Sequence, residues 1–435
     1  MEESVGVSPF RRVLAGFYTS MLGSQMMPVA LAFAALGSGH GAGGVGLVMS
    51  AGSLPTVVFL LLGGVLADRV PRRTVMLGAD AVRAVTQGVL AVWALSGDVP
   101  LVALMGFAAL DGLGNAFFRP ALTGLIPAVA GDGGLQRANA LVGVGRSFSS
   151  AVGPALGGVL VAAFSPAVVF AVDAVSYVVS TLFLATVPAG VVAARGSAPS
   201  VPAGVVNAGG SAPGVLTDLR EGWWEFRSRR WLWVIVVQFG VMHLTTVPAY
   251  LVLGPQVASA GLGGARGWGL VLGGFGAGAV AGGLAMMRMT PRHPLRVATV
   301  GLLGYVPALL LLALPAALPL VVFGGFLAGA GIGVFAALWD TAMQANVPRE
   351  ALSRVSAYDW FGSLVTLPLG YALVGVLAPG TGATALLVGG AATMTAGCAV
   401  VLAVREVREM VTGPPFEDGG SGLGSYGRRR PSRRR

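Results

Sequence analysis

The chain has no lysine, one cysteine and three histidines, and only 11% of its 435 residues are charged. Each shortage removes a class of function. Without lysine there is no Gly-x-x-x-x-Gly-Lys-Ser/Thr loop, so ATP binding of that kind by this chain is excluded. A lone cysteine, Cys398, permits no disulfide within the chain and no cysteine-built metal site. His40, His243 and His293 lie far apart in the sequence, which argues against a zinc site. No nucleophile stands beside a base in a polar loop, so neither an enzyme nor a cofactor is expected. Soluble domains carry about 25% charged residues. A chain with less than half of that, and with 55% hydrophobic residues, reads as a membrane protein.

What the chain does have is twelve apolar stretches, at about 13–36, 44–66, 75–97, 99–125, 139–164, 166–188, 231–253, 266–290, 295–315, 317–343, 353–377 and 382–404. Each is near the roughly 20 residues needed to cross about 30 Å of hydrocarbon as a helix. The basic residues, all arginine, fall in alternate connections. One set holds Arg69, Arg72 and Arg73, then Arg137, Arg195 to Arg230, Arg292, Arg296, Arg349 and Arg354; the other holds only Arg266, at a helix edge. Arginine-rich connections stay on the inner side, so both termini are expected in the cytoplasm and the chain in the inner (plasma) membrane. The same distribution, with the terminal Arg433-Arg434-Arg435, accounts for the net charge of +10 through topology and attraction to anionic lipid, so no nucleic-acid partner is expected. Arg11-Arg12 before an apolar run mimics a secretory signal, but that run is too long and eleven more follow; it reads as a retained first span.

The long interruption at 189–230 divides the chain. It is Gly/Ala/Pro/Ser-rich to Gly214 and reads as a flexible linker. After it, Leu219, Trp223 and Phe226 fall on one helical face between charges, predicting an amphipathic helix at the inner headgroup layer. The predicted organisation is an all-α membrane protein with a six-helix half over 1–188, a cytoplasmic linker with its helix over 189–230, a second six-helix half over 231–404, and a basic cytoplasmic tail over 405–435, expected to be disordered over 413–435. The halves repeat: Gly46-Leu-Val-Met aligns without a gap with Gly269-Leu-Val-Leu, after which Pro71 meets Pro294 and Arg73 meets Arg296. Two parallel six-span halves with a site between them are a transporter plan.

Gly64-Val-Leu66-Ala67-Asp68-Arg69-Val-Pro71-Arg72-Arg73, after the second span, resembles motif A of the major facilitator superfamily, with Pro71 where glycine is usual. The resemblance implies that Asp68 latches the inner gate, capping the eleventh span and pairing with an arginine of the fourth, for which Arg119 is the candidate; the alternative is that Arg69, Arg72 and Arg73 only set topology. In the fifth span, Ser149-Ser-Ala-Val-Gly153-Pro154-Ala-Leu-Gly157-Gly158 resembles the antiporter motif C, with Ser149 for the first glycine. Small residues four apart let helices approach closely, so the alternative reading is tight packing alone. Arg137 to Gly158 and Phe170-Ala-Val-Asp173-Ala-Val-Ser176-Tyr177 resemble the drug:proton antiporter group of macrolide and enterobactin exporters. That likeness implies the twelve-helix major facilitator fold, with spans 1, 4, 7 and 10 lining a central cavity.

Ionisable groups inside spans are costly and therefore candidates for function. Asp111 of span 4 lies about 18 Å in from the outer end, level with Gln25 of span 1 and His243 of span 7. Asp111 and His243 are the proton-coupling candidates, against a structural salt bridge or a satisfied polar residue. Asn115 lies one turn below Asp111, and Gln25, Met26, Asn115, Phe118, Trp339 and Tyr358 are the substrate-cavity candidates. Asp80 and Arg83, three apart on span 3, suggest a local pair; with Arg146, Asp340 and Asp359 they are assigned to an inner-gate network, and Asp173 to a structural hydrogen bond. The expected function is export of a hydrophobic or amphipathic small molecule in exchange for protons, by a lipid-embedded monomer. Import of a metabolite on the same fold and a non-transporting scaffold or receptor are the alternatives.

Overall fold

The structure, a computed structural model, describes residues 9–130, 134–187 and 215–411; the side chains of 60–69, 128, 215–221, 349, 350 and 353 are outside the described set. The expected linker over 189–214 and the tail from 413 lie outside the described residues. Everything described is helix, turn or short connection. Lipid offers the backbone no hydrogen bonds, so a chain this apolar satisfies its N–H and C=O groups within helices.

The first half contains α1 (Pro9–Ala35), α2 (Gly41–Arg69), α3 (Arg72–Ser96), α4 (Leu101–Ala130), α5 (Leu135–Ala163) and α6 (Pro166–Ala185). A short amphipathic helix, α7 (Val215–Ser228), leads into the second half. There α8 (Arg230–Leu244) and α9 (Thr246–Gly261) form the seventh span, α10 (Gly264–Arg288) the eighth, α11 (Pro294–Gly301) and α12 (Tyr305–Ala313) the ninth, and α13 (Leu318–Asn346) the tenth. The eleventh combines α14 (Arg349–Leu364) and α15 (Leu367–Thr381); α16 (Ala383–Ala403) is the twelfth, followed by α17 (Arg405–Glu409). Ten helical stretches among the described residues are long and apolar enough to cross a membrane. The first, Pro9–Phe59, covers two expected crossings, bent where Gly39 and Gly41 adopt φ of +80° and +54°. The remaining expected span is α5, whose Arg137 and Arg146 dilute its apolar run.

The expected edges hold to a few residues with one exception. The seventh span continues to Gly261, and the expected outer loop at 254–265 shrinks to a turn at Leu262 and Gly263. Gly263 makes that turn in the left-handed region, at φ +81°. Pro255 lies inside this helix but does not end it.

The two halves repeat their packing. In the first, α1 packs on α5 and α6, α3 on α4 and α6, and α2 on α4; in the second, α8 packs on α14, α9 and α12 on α16, α11 on α13, and α10 on α13. Breaks divide the seventh, ninth and eleventh spans, all in the second half, and threonine hydroxyls fasten two of them. Thr246 donates to Gly390 O at 3.0 Å and Thr366 to Gly240 O at 2.7 Å. At the arginine-rich end, Glu406 of α17 accepts the Trp231 N–H at 3.0 Å, capping α8. Arg405 donates to Glu409 at 2.7 Å, holding that exposed carboxyl below its usual range. The amphipathic α7 docks on α14 through Trp223 and Phe226, whose rings meet Tyr358 at 5.6 and 5.9 Å.

The halves meet along two glycine seams. A Cβ on Gly269 of α10 would lie 2.5 Å from Pro154 O and 2.9 Å from Gly158 Cα on α5. On the other seam, a Cβ on Gly46 of α2 would collide with Tyr371 O and lie 2.9 Å from Gly375 Cα on α15. Gly46 and Gly269 are the positions that align in the internal repeat. Both seams lie towards the end of the bundle opposite the arginine-rich connections, so the halves are closed together there. A Gly158→Leu or Gly269→Leu chain should lose about 1–3 kcal/mol, the usual cost of overpacking, read as a lower unfolding midpoint in detergent. Gly283→Ala, where a Cβ meets nothing within 4 Å, should leave the midpoint unchanged.

Candidate functional site

Polar stripes on three helices of the first half converge on one buried cluster. On α3, Asp80, Arg83 and Gln87 recur at helical spacing and are almost fully buried. On α6, Asp173, Ser176, Tyr177 and Ser180 do the same. On α4, Asp111 and Asn115 complete the group, both half-buried.

Arg83 is the centre of the cluster. Its Nη2 lies 2.5 Å from Asp80 Oδ1, and Asp80 Oδ2 accepts the Ser180 hydroxyl at 2.7 Å. Its Nη1 donates to Asn115 Oδ1 at 3.3 Å and to Tyr177 Oη at 3.4 Å. The guanidinium also stacks over the rings of Tyr177 and Phe118, at 4.3 and 4.7 Å. A buried cation is tolerable here because it is paired, hydrogen-bonded and sandwiched.

Asp111 is bonded differently. Its Oδ1 accepts from Tyr177 Oη at 3.1 Å and its Oδ2 from Asn115 Nδ2 at 3.1 Å. These are neutral donors; Arg83 makes its ion pair with Asp80 instead. Asp173 accepts from Ser176 at 3.3 Å, and its second oxygen has no partner. α1 closes the cluster from the side: Ser24 Oγ lies 2.8 Å from Tyr177 Oη, and a Cβ on Gly23 would lie 2.5 Å from Asp173 Oδ1.

The other expected residues lie in separate places. Gln25, Asp111 and His243 each have their own neighbours: Gly153 for Gln25, Tyr177 and Asn115 for Asp111, and Phe239 for His243. Gln25 and Met26 pack on α5, where a Cβ on Gly153 would lie 2.5 Å from Gln25 Cβ and one on Gly157 would lie 2.9 Å from Met26 O. Motif C is thus divided, with Gly153 and Gly157 admitting α1, and Pro154 and Gly158 admitting α10. His243 sits beside Phe239, with ring centroids 5.9 Å apart and Nδ1 unpartnered. Phe118 is buried against Arg83, and the half-buried Tyr358 meets Trp223 and Phe226 of α7. Trp339 Nε1 donates to Asp359 Oδ2 at 3.1 Å, and the Asp340 carboxylate acts on that carboxyl.

The expected inner-gate residues therefore fall into three groups: Asp80 with Arg83, Asp340 with Asp359, and Arg146 with Arg119. Arg119 on α4 and Arg146 on α5 are exposed. Each stands about 16 Å from the connection between their helices at 1.5 Å per residue. The charges acting on Arg119 are Arg146, Arg83 and Asp111. Of motif A, Gly64, Asp68 and Arg69 belong to α2, but their side chains lie outside the described residues. Arg72 donates to Gly124 O at 2.5 Å, and Arg73 to Leu184 O and Ala185 O at 3.0 and 2.7 Å. Arg73 thereby caps the end of α6, sharing Leu184 O with the Val187 N–H at 3.1 Å.

Gln87, Tyr177, Ser180 and Ser24 were not expected in a site. The signal for Tyr177 and Ser180 was the polar stripe on α6, at steps of three and four residues in an otherwise apolar span.

With this fold and cluster in view, the family comparison is decisive. The major facilitator family described as "Transmembrane secretion effector" matches residues 6–412. The chain belongs to this family. Among curated relatives, macrolide efflux protein A of Streptococcus pyogenes is 27% identical over 41% of the chain, and that match spans 44% of the relative's own length. Multidrug efflux pump Tap of Mycolicibacterium fortuitum is 27% identical over 86% of this chain and 90% of its own. Enterobactin exporter EntS of Salmonella typhi is 26% identical over 94% and 96%. Among solved structures, peptide transporter POT in complex with sulfate superposes with a TM-score of 0.72 at 14% identity, covering 93% of this chain and 96% of that one. Nucleoside transporter NupG superposes at 0.70 with 11% identity, covering 91% and 99%. These two establish a shared fold. The chain is a membrane transporter of the major facilitator type.

The Asp80–Arg83 pair should dominate the stability of the first half. Asp80→Asn should cost about 3–5 kcal/mol by stranding a buried guanidinium, and Asp80→Asn with Arg83→Met should recover most of it. Unfolding midpoints of the two variants in detergent check this.

Proposed function

We propose that the chain exports hydrophobic or amphipathic small molecules in exchange for protons, by alternating access in the inner membrane with both termini cytoplasmic. The observation that carries the reading is the bonding of Asp111. It is a half-buried carboxyl in the fourth span whose bonds come from the neutral donors Tyr177 and Asn115. A proton can join or leave it without breaking an ion pair, whereas protonating Asp80 would strand Arg83. Exchange follows if protonated Asp111 and bound cargo favour opposite openings of the two halves.

The seams support the alternating part. The halves are closed together at one end, and with that end taken as the outer one from the arginine distribution, cargo for export would load from the cytoplasmic end. Motif C lies on the seam and on α1, the two places a rocking half must reorganise. Macrolide efflux, multidrug efflux and enterobactin export by the relatives favour export over uptake.

Inverted membrane vesicles with an imposed acid-inside gradient test the reading. A fluorescent amphipathic dye should accumulate with the natural chain, and accumulation should fall to background with Asp111→Asn. Gradient-driven accumulation that survives Asp111→Asn removes Asp111 from the mechanism.

A further inference from the structure

Tyr177 is buried at the junction of four helices, and its resemblance to a family run assigns it no role. Its hydroxyl lies 3.1 Å from Asp111 Oδ1 on α4, 3.4 Å from Arg83 Nη1 on α3 and 2.8 Å from Ser24 Oγ on α1. A phenol has one hydrogen to give and two lone pairs to offer. Arg83 only donates, so Tyr177 gives its hydrogen to Asp111 or to Ser24, never to both.

Ser24 faces the same choice. Its Oγ lies 2.8 Å from Tyr177 Oη and 2.8 Å from Ser20 O, the carbonyl one turn back on its own helix. It too has one hydrogen. The two choices interlock. With Asp111 ionised, Tyr177 donates to Asp111 Oδ1 and Ser24 donates to Tyr177, bonding α1 to α6. With a proton on Asp111 Oδ1, Asp111 donates to Tyr177, Tyr177 donates to Ser24, and Ser24 donates to Ser20 O. Every hydrogen has an acceptor in both arrangements, and no heavy atom need move for the switch to occur.

We propose that Tyr177 is the positioning residue that converts the protonation of Asp111 into a hydrogen-bond reversal at Ser24, and so into a change in α1. The inference rests on Asp111 as the proton carrier. Its mechanical consequence comes from the last bond in the chain. A serine hydroxyl bonded to the carbonyl four residues back loosens and bends a helix. The next residues of α1, Gln25 and Met26, are the ones seated on Gly153 and Gly157 of α5, and Pro28 lies one turn on. A bend beginning at Ser24 is delivered to the helix whose neighbouring face, one residue round at Pro154 and Gly158, forms the seam with α10. Proton occupancy thereby reaches the contact between the halves through one phenol and one serine.

Two measurements on the purified full chain in detergent test this. Infrared difference spectra between acid and alkaline buffer should contain a carboxylic-acid carbonyl band that Asp111→Asn deletes. In Tyr177→Phe that band should persist but move to higher frequency, as an acid that has lost a hydrogen-bond partner does. Amide hydrogen exchange over residues 20–28, corrected for the intrinsic effect of pH, should differ between the two buffers in the natural chain. That difference should vanish in both Tyr177→Phe and Ser24→Ala, each of which removes a single hydroxyl. An unmoved band in Tyr177→Phe, or an exchange difference that survives either variant, overturns the switch and leaves Asp111 as the proton carrier. If Asp111→Asn deletes no band, the proton-carrier reading falls, and the switch with it.

Discussion

The hydrocarbon interior solvates neither a backbone amide nor a charge, and the architecture follows from that constraint. The first part of it makes every crossing a helix. The second part drives the ionisable side chains of the first half inward until they satisfy one another. Arg83 shows how far this goes: one guanidinium takes a carboxylate, an amide oxygen, a phenol and two aromatic faces, drawn from three helices. α3, α4 and α6 are held in register by that single group. Because Asp80 meets the demand for a countercharge, Asp111 is left with the neutral hydrogen-bond partners Tyr177 and Asn115.

The halves are joined by a contrasting principle. Where they touch, side chains are absent and backbone approaches backbone, at Gly46 with Gly375 and at Gly158 with Gly269. Interlocked side chains must be prised apart before two surfaces can rotate. A glycine seam has few to prise, and its closeness rests on small residues alone. The first half is thus stiffened from within by charge, while its boundary is kept smooth.

Much of this was legible from residues alone. Helical spans announce themselves by length and apolarity, and topology by arginine, so the twelve crossings and the repeat between Gly46 and Gly269 could be read directly. The pairing of Asp80 with Arg83 and of Asp111 with Asn115 followed from helical spacing within one span. Contacts between spans did not. Depth calculated along each helix put Gln25, Asp111 and His243 at one level, but depth says nothing about rotation around the helix axis, and the three side chains face different neighbours. Tyr358 was read as cavity lining because nothing in its own span reveals that α7 folds back over it. Tyr177 was visible as part of a family-like run, yet its role depends on three partners from three other helices, a coincidence that spacing in one span cannot encode. The seventh span runs on through Pro255 to Gly261, because a membrane helix tolerates proline where a soluble one often ends.

The breaks at Thr245, at Leu302–Gly304 and at Val365–Thr366 all belong to the second half. A continuous helix resists flexing along its whole length, whereas one interrupted at mid-span has a built-in elbow. The transporter therefore pairs a rigid lever with an articulated one. Deformation should therefore concentrate at these three elbows of the second half, and in the first half at α1 beside the polar cluster.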